Sequence, residues 1–216
     1  MRETIPLWER PILHEVAGGT LHPGGFTLTD RAAEFIGVLP GWNVLDVGCG
    51  LGTTVSRLRS RFGARAFGIE ASLKQIERAQ GLPGIAQAQG DALPFGDGVF
   101  SAVFCECVLS LLQNPHEGVA EFFRVLQPGG YLALSDLCAS GSPILEFNSC
   151  AARAIPLDEI PKVIEGCGFV IMNMENHTRL LTDLAARLLL AGGDGADCGC
   201  GRQGLGYFLM IARKEG

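Results

Sequence analysis

One turn carries the strongest chemical signal in this chain. The apolar run Val44-Leu45-Asp46-Val47 leads into Gly48-Cys49-Gly50-Leu51-Gly52 and then Thr53. A buried strand that enters a glycine turn and opens a helix is where a ligand meets the backbone, because only glycine permits so close an approach. The spacing narrows the ligand. Dinucleotide binding favours a third glycine three positions after the second, and here that position is Thr53 counted from Gly48, or Val55 counted from Gly50. Glu70 closes the next predicted strand, 22 positions beyond Gly48, with Ala71 after it. A carboxylate at that place can accept two hydrogen bonds from ribose hydroxyls, an arrangement suited to adenosine. Gly90-Asp91-Ala92-Leu93-Pro94-Phe95 follows the third strand. Asp91 is a candidate acceptor for an adenine amino group, Ala92 for backbone contact, and Leu93 or Phe95 for an apolar surface under the ring; a turn-forming Asp91 without a ligand is the lesser alternative.

Elements that position these residues are legible in the alternation of the chain. Short apolar runs predict strands at Asn43–Gly48, Ala66–Glu70, Ile85–Gln89, Val99–Cys105, Tyr131–Asp136, Phe169–Glu175 and Gly206–Arg213, with helices between them. That order predicts βαβ units and a mostly parallel α/β sheet. A first helix should be capped by Thr29. Another should run from Pro115 to Leu126, capped by Asn114 and stopped by Gly129-Gly130. A third should run from Arg179 to Leu190, capped by Thr178 and ended by Gly192-Gly193. The last strand has no crossover of its own and is expected antiparallel, beside Phe169–Glu175. Residues 1–28 read as an irregular lid or entry segment, 29–136 as the binding core, and 137–216 as substrate-side elements and terminal strands of one domain.

Composition sets the limits. The chain has 216 residues, 47% apolar and 19% charged, with a net charge of −6, which suits one globular domain. The negative balance disfavours a nucleic-acid backbone as partner. Val99 to Leu112, the longest apolar stretch, contains Glu106 and is shorter than the roughly 18–20 residues that span a bilayer. No signal or transit pattern is present at the amino end, so a cytoplasmic location and reduced cysteines are expected.

Taken together, Asp46-Val47-Gly48-Cys49-Gly50-Leu51-Gly52, Glu70, Gly90-Asp91-Ala92-Leu93-Pro94-Phe95 and Arg124-Val125-Leu126-Gln127-Pro128-Gly129-Gly130-Tyr131-Leu132 resemble the successive motifs of class I S-adenosylmethionine-dependent methyltransferases, over residues 30–136. The resemblance is to the ubiquinone/menaquinone-type small-molecule subgroup, although Ser110 and Leu111 stand where that pattern has histidines. It implies a Rossmann-like seven-stranded sheet with helices on both faces and an antiparallel terminal strand. It also implies S-adenosylmethionine as cofactor and S-adenosylhomocysteine as product. Asp46, Gly48, Cys49, Gly50 and Gly52 would lie near the methionine part, Glu70 with Ala71 at the ribose, and Asp91, Ala92 and Leu93 at the adenine. Cys105 and Glu106, just after the fourth strand, would flank the methyl donor.

The acceptor is expected to be a small molecule. Methyltransferases of exocyclic base nitrogens carry an Asn/Asp-Pro-Pro-aromatic motif after the fourth strand, where this chain reads Cys105-Glu106-Cys107-Val108. Glu106 is a candidate base or a ligand for the methionine amino group, and His22 a candidate base or a solvated turn residue. Cys198 and Cys200, with Cys150, could supply soft thiolates to arsenite, so a metalloid methyltransferase is one alternative. A silent cofactor-binding protein is another. Cys49, Cys105, Cys107 and Cys167 are expected to be small buried hydrophobes. A monomer or homodimer is expected.

Overall fold

Along β1 (Asn43–Val47) successive side chains leave the sheet on opposite sides: Val44 joins one apolar cluster, Leu45 and Val47 the other. Burial on both faces is what a parallel sheet needs before helices can cover it. A computed structural model describes residues 5–79, 81–139, 153–192 and 204–216. After a 3-10 turn at Leu7–Glu9 come α1 (Pro11–Val16), α2 (Gly25–Ile36), β1, α3 (Thr53–Phe62), β2 (Arg65–Glu70), α4 (Leu73–Arg78) and β3 (Ile85–Gln87). The chain continues through β4 (Phe100–Glu106), α5 (Pro115–Val125), β5 (Leu126–Ala139), β6 (Ile155–Pro156), α6 (Ile160–Gly166), β7 (Phe169–Asn176), α7 (Thr178–Leu190) and β8 (Leu205–Lys214).

The main strand order is β3-β2-β1-β4-β5-β8-β7, with the two-residue β6 paired to β5. β8 is antiparallel to both β5 and β7, because a strand without a crossover can enter the sheet reversed. Leu28, Val55, Leu58 and Leu181, from α2, α3 and α7, pack on one face of the sheet. Val119, Phe122, Ile160 and Ile164, from α5 and α6, pack on the other. Strand order reverses between β1 and β4, so a crevice opens at the carboxyl edge there.

Several boundaries differ from expectation. Residues 1–28 are not irregular throughout, since they contain the 3-10 turn, α1 and the start of α2. Thr29 does not cap α2: Gly24, in a left-handed conformation at φ 82°, opens that helix, and the Thr29 hydroxyl is spent elsewhere. Thr178 is the first residue of α7, its N–H accepted by Asn176 Oδ1. Gly129-Gly130 does not stop α5. Leu126 is already extended, so β5 begins at once and runs on to Ala139. Cys105 and Glu106 are the last two residues of β4 rather than residues beyond it.

Asn114 caps α5 as expected, its Oδ1 accepting the Glu117 N–H. Asn114→Ala should cost about 1 kcal/mol of stability, read as a shift of the urea midpoint at unchanged slope. An unshifted midpoint would show that the cap contributes nothing.

Candidate functional site

Gly48 and Gly50 take φ of 68° and 52° at the end of β1, in the left-handed region that favours glycine. A Cβ on Gly48 would strike the Val108 side chain, and one on Gly50 would lie 2.6 Å from Leu21 Cδ1. The turn is held by its own backbone: Cys49 N–H donates to Ile69 C=O at 2.9 Å, and Gly52 N–H to Cys49 C=O at 2.8 Å. Glu70, ending the neighbouring strand, faces this turn. Its Oε2 accepts Gly50 N–H at 2.9 Å and its Oε1 accepts Ser72 N–H at 2.8 Å. Both carboxylate oxygens are thereby aimed, and each keeps a lone pair for a further donor.

At the end of β4, Glu106 sits in a buried knot that joins four parts of the chain. Its Oε1 accepts the Thr29 hydroxyl of α2 at 2.8 Å, and its Oε2 accepts the Thr54 hydroxyl of α3 at 2.8 Å. His22 Nε2 lies 3.2 Å from the same Oε2. That approach is an ion-pair contact rather than an aligned hydrogen bond, for the ring nitrogen makes no bond of good geometry. The ring's Nδ1 is 3.1 Å from the Pro23 carbonyl oxygen. Burial pushes the Glu106 pKa up, but the adjacent His22 charge and the two hydroxyls outweigh it and leave the carboxyl below its ordinary value. Burial likewise pushes His22 down, and Glu106 more than reverses it, so the imidazole lies above its ordinary value. Each group thus favours the charged form of the other.

Asp46 lies on the same face of the sheet, one strand away. It is 3% exposed, and its Oδ2 has no hydrogen-bond partner among the described residues. Burial first, then the Glu106 and Glu70 charges, hold its pKa well above the ordinary carboxylate value. On the opposite face, Asp136 ties down the turn at Leu109–Leu111: Oδ1 accepts the Ser110 hydroxyl at 2.7 Å and Oδ2 accepts the Ser110 N–H at 2.9 Å. Burial raises its pKa to about 6 against those bonds.

The glycine turn, Glu70 and Glu106 border a cleft of about 280 Å³. Of the sequence-predicted residues, Gly48, Gly50, Glu70, Ala71 and Glu106 line it. Asp46, Cys49 and Gly52 do not line it; Cys49 lies against Gly68, and Gly52 against Leu82 and Ile85. Cys105 is fully buried in the core. Gln89 and Gly90 line the cleft, whereas Asp91 and Ala92 follow just outside that lining. Leu93 is buried, its N–H donated to Glu121 Oε2 at 2.7 Å. Cys107 and Cys167 are only partly buried, unlike Cys49 and Cys105. Cys150, Cys198 and Cys200 lie outside the described residues, and among the described residues no group of His, Cys, Asp and Glu is placed to hold a metal.

Sequence reasoning missed Trp8, Gln75, Val108 and Leu111, which also line the cleft, as does Leu21. Trp8 arrives because the amino-terminal segment is bonded across the carboxyl edge. The Trp8 carbonyl accepts Gln75 Nε2, and the Glu9 carboxylate takes the Ser72 hydroxyl at 2.9 Å and Lys74 Nζ at 3.0 Å. At its far end the Val16 carbonyl accepts Arg187 Nη1 of α7 at 2.9 Å. An aromatic residue far from the glycine turn carries no local signal of this; only the capping pattern Ser72 to Gln75 hints that α4 presents its first turn to a neighbour.

A doubly wound sheet with a glycine turn and two strand-end carboxylates about one cleft defines a nucleotide-cofactor domain. Residues 45–134 match the family model described as a methyltransferase domain. The chain is 31% identical over 143 residues to the O-methyltransferase resE of Aspergillus sclerotiorum, covering 62% of this chain and 53% of that protein. Among solved structures, a [4+2]-cyclase, SpnF, superposes with a TM-score of 0.79 at 23% identity, over 96% of this chain and 93% of that one. A Haemonchus contortus phosphoethanolamine N-methyltransferase 2 complexed with S-adenosylhomocysteine superposes with a TM-score of 0.78 at 18% identity, over 95% of this chain and 56% of that one. The matched region spans 34% to 62% of the length of the first three curated relatives. Residues 45–134 of this chain thus match a methyltransferase domain, and the two solved structures share its fold. Among the described residues no helix is long and apolar enough to cross a membrane.

Proposed function

We propose that the chain transfers the methyl group of S-adenosylmethionine to a small-molecule acceptor by in-line displacement at the carboxyl edge of the sheet. One observation carries the reading: Gly48, Gly50, Glu70 and Glu106, drawn from three strand ends, converge on a single cleft within the matched domain. The residues suit the cofactor. The cradle at Gly48 and Gly50 has no room for a Cβ, Glu70 presents aimed acceptors toward ribose hydroxyls, and the orphaned Asp46 oxygen can take a donor directly or through water.

Bound S-adenosylmethionine supplies a methyl group activated by its sulfonium sulfur. The new bond to carbon forms from the acceptor's lone pair as the carbon–sulfur bond breaks, and that electron pair returns to sulfur. The protein's work is positioning and exclusion of water. Glu106 orients rather than abstracts: a carboxylate held below its ordinary pKa by a histidine and two hydroxyls is a weak base. A protonated acceptor would lose its proton to another group or to solvent. His22, paired to Glu106, keeps Leu21 seated over Gly50, and the segment from Trp8 to Leu21 serves as a lid on the cleft. Free thiols at the described cysteines and the net charge of −6 are compatible with a cytosolic enzyme that acts on metabolites rather than nucleic acid, as a monomer or homodimer.

Incubation with methyl-labelled S-adenosylmethionine and fractionated metabolites should give a labelled small molecule and an equal amount of S-adenosylhomocysteine. Cofactor binding without label in any fraction would overturn transfer in favour of the second reading, a cofactor-binding protein with other chemistry, which the cyclase of the same fold makes concrete. Asp91→Ala should narrow the preference for the adenine cofactor over its inosine analogue. An unaltered preference removes Asp91 from the site.

A further inference from the structure

A second, smaller pocket of about 40 Å³ adjoins the cleft, sharing Trp8, Leu21, Cys107 and Leu111 with it. Its outer walls are Leu7 and Leu13 from the amino-terminal segment and Leu181 and Leu184 from α7. The two spaces differ in chemistry. Glu70, Ser72, Gln75, Gln89 and Gln113 give the cleft many hydrogen-bonding groups, whereas among the described residues no carboxylate, ammonium, guanidinium or imidazole lines the smaller pocket.

Its polar side chains are the Trp8 indole and the Cys107 thiol, and the thiol is already engaged. Cys107 Sγ donates to the Tyr207 hydroxyl at 3.3 Å, which donates to Ser135 Oγ at 3.1 Å. Cys107 is also the one described non-glycine residue with positive φ, at 58°, and its N–H is held by the Ser135 carbonyl at 2.8 Å. Such a backbone persists in a non-glycine residue only when its surroundings impose it. The thiol therefore stands fixed at the junction of the two spaces.

We propose that this pocket takes the apolar end of the methyl acceptor, so that the substrate class is a neutral, lipophilic molecule whose nucleophilic atom reaches the cleft past Cys107. The inference rests on the methyl-transfer reading above and sharpens it. A charged or phosphorylated acceptor would enter the pocket without a counter-charge and lose its hydration uncompensated. An apolar group is favoured there by surface removed from water. The space accommodates about three water-sized groups, enough for the tip of an alkyl chain or the edge of a ring.

The test uses the whole chain and a neutral fluorophore, N-phenyl-1-naphthylamine, whose emission rises in apolar surroundings. In a Trp42→Phe background Trp8 is the remaining tryptophan, and bound probe should quench it. Leu7→Glu should weaken probe binding at least tenfold and Leu7→Met by less than twofold, while calorimetry finds S-adenosylhomocysteine binding unchanged in both. The anionic analogue anilinonaphthalene sulfonate should bind at least tenfold more weakly than the neutral probe. Unquenched Trp8, equal affinity for both probes, or indifference to Leu7→Glu overturns the inference. Loss of S-adenosylhomocysteine binding by the unaltered chain would instead overturn the methyl-transfer reading, a separate outcome. The quenching result needs no pocket variant to fold.

Discussion

Glu70→Ala should weaken binding of S-adenosylmethionine and S-adenosylhomocysteine by about 1.5–3 kcal/mol, the range for hydrogen bonds to a charged group. That is roughly tenfold to more than a hundredfold in Kd. Two effects add. The ligand's ribose loses its charged acceptor, and the N–H groups of Gly50 and Ser72 lose the partner that fixes the glycine turn against the start of α4. Glu70→Gln keeps one acceptor oxygen and should retain part of the affinity. Calorimetry with S-adenosylhomocysteine decides it, since the product analogue reports binding without turnover. Affinity unchanged in Glu70→Ala would mean that the carboxylate serves the turn alone.

The larger stability effect belongs to Glu106→Ala, expected to cost about 3–5 kcal/mol, because removing one partner leaves a buried histidine and two buried hydroxyls uncompensated. Against a typical total of about 5–15 kcal/mol, the variant should be visibly less resistant to urea. Its pH dependence carries a sign. His22 has a folded pKa above 6.5, so the unaltered chain holds that stabilisation fully below 6.5 and loses it as pH rises through the folded value. Glu106 has a folded pKa below 4.5, so its contribution is present above 4.5 and is lost as pH falls through the folded value. In Glu106→Ala burial acts on His22 without its partner, and Asp46 is relieved of a neighbouring charge. The stability difference between the two proteins should therefore be greatest between about pH 4.5 and 6.5 and shrink on either side. Urea titrations across pH 4 to 9, followed by circular dichroism, measure it. A difference independent of pH would mean that the pair does not ionise as a pair.

The sheet was legible because its signals are local. Each strand is a short apolar run bounded by glycine or by a helix start, and β1 through β5 emerged at the expected places with ends displaced by a few residues. Helix starts fared worse. Thr29 and Thr178 satisfy the capping pattern, yet α2 opens from the left-handed Gly24 and α7 from His177, and both hydroxyls bond to distant partners, Glu106 and the Tyr207 N–H. For Thr29 the partner is a buried carboxylate, whose charge-assisted bond outweighs a local cap; for Thr178 it is the backbone N–H of the neighbouring strand.

What the sequence determined by itself is the frame of the binding edge. Asp46, Gly48, Gly50 and Glu70 sit at strand ends whose order and spacing follow from periods of two and turns of glycine, quantities set within a few residues of chain. Tertiary structure alone decided what stands over that edge. Trp8 crosses it through bonds to α4, Leu21 rests on Gly50 because His22 reaches Glu106 from a position 84 residues earlier, and Cys107 and Leu111 meet Leu181 and Leu184 only once β5, β8 and α7 are assembled. Hydrogen bonds and apolar contacts at such separations depend on packing, which no local pattern encodes.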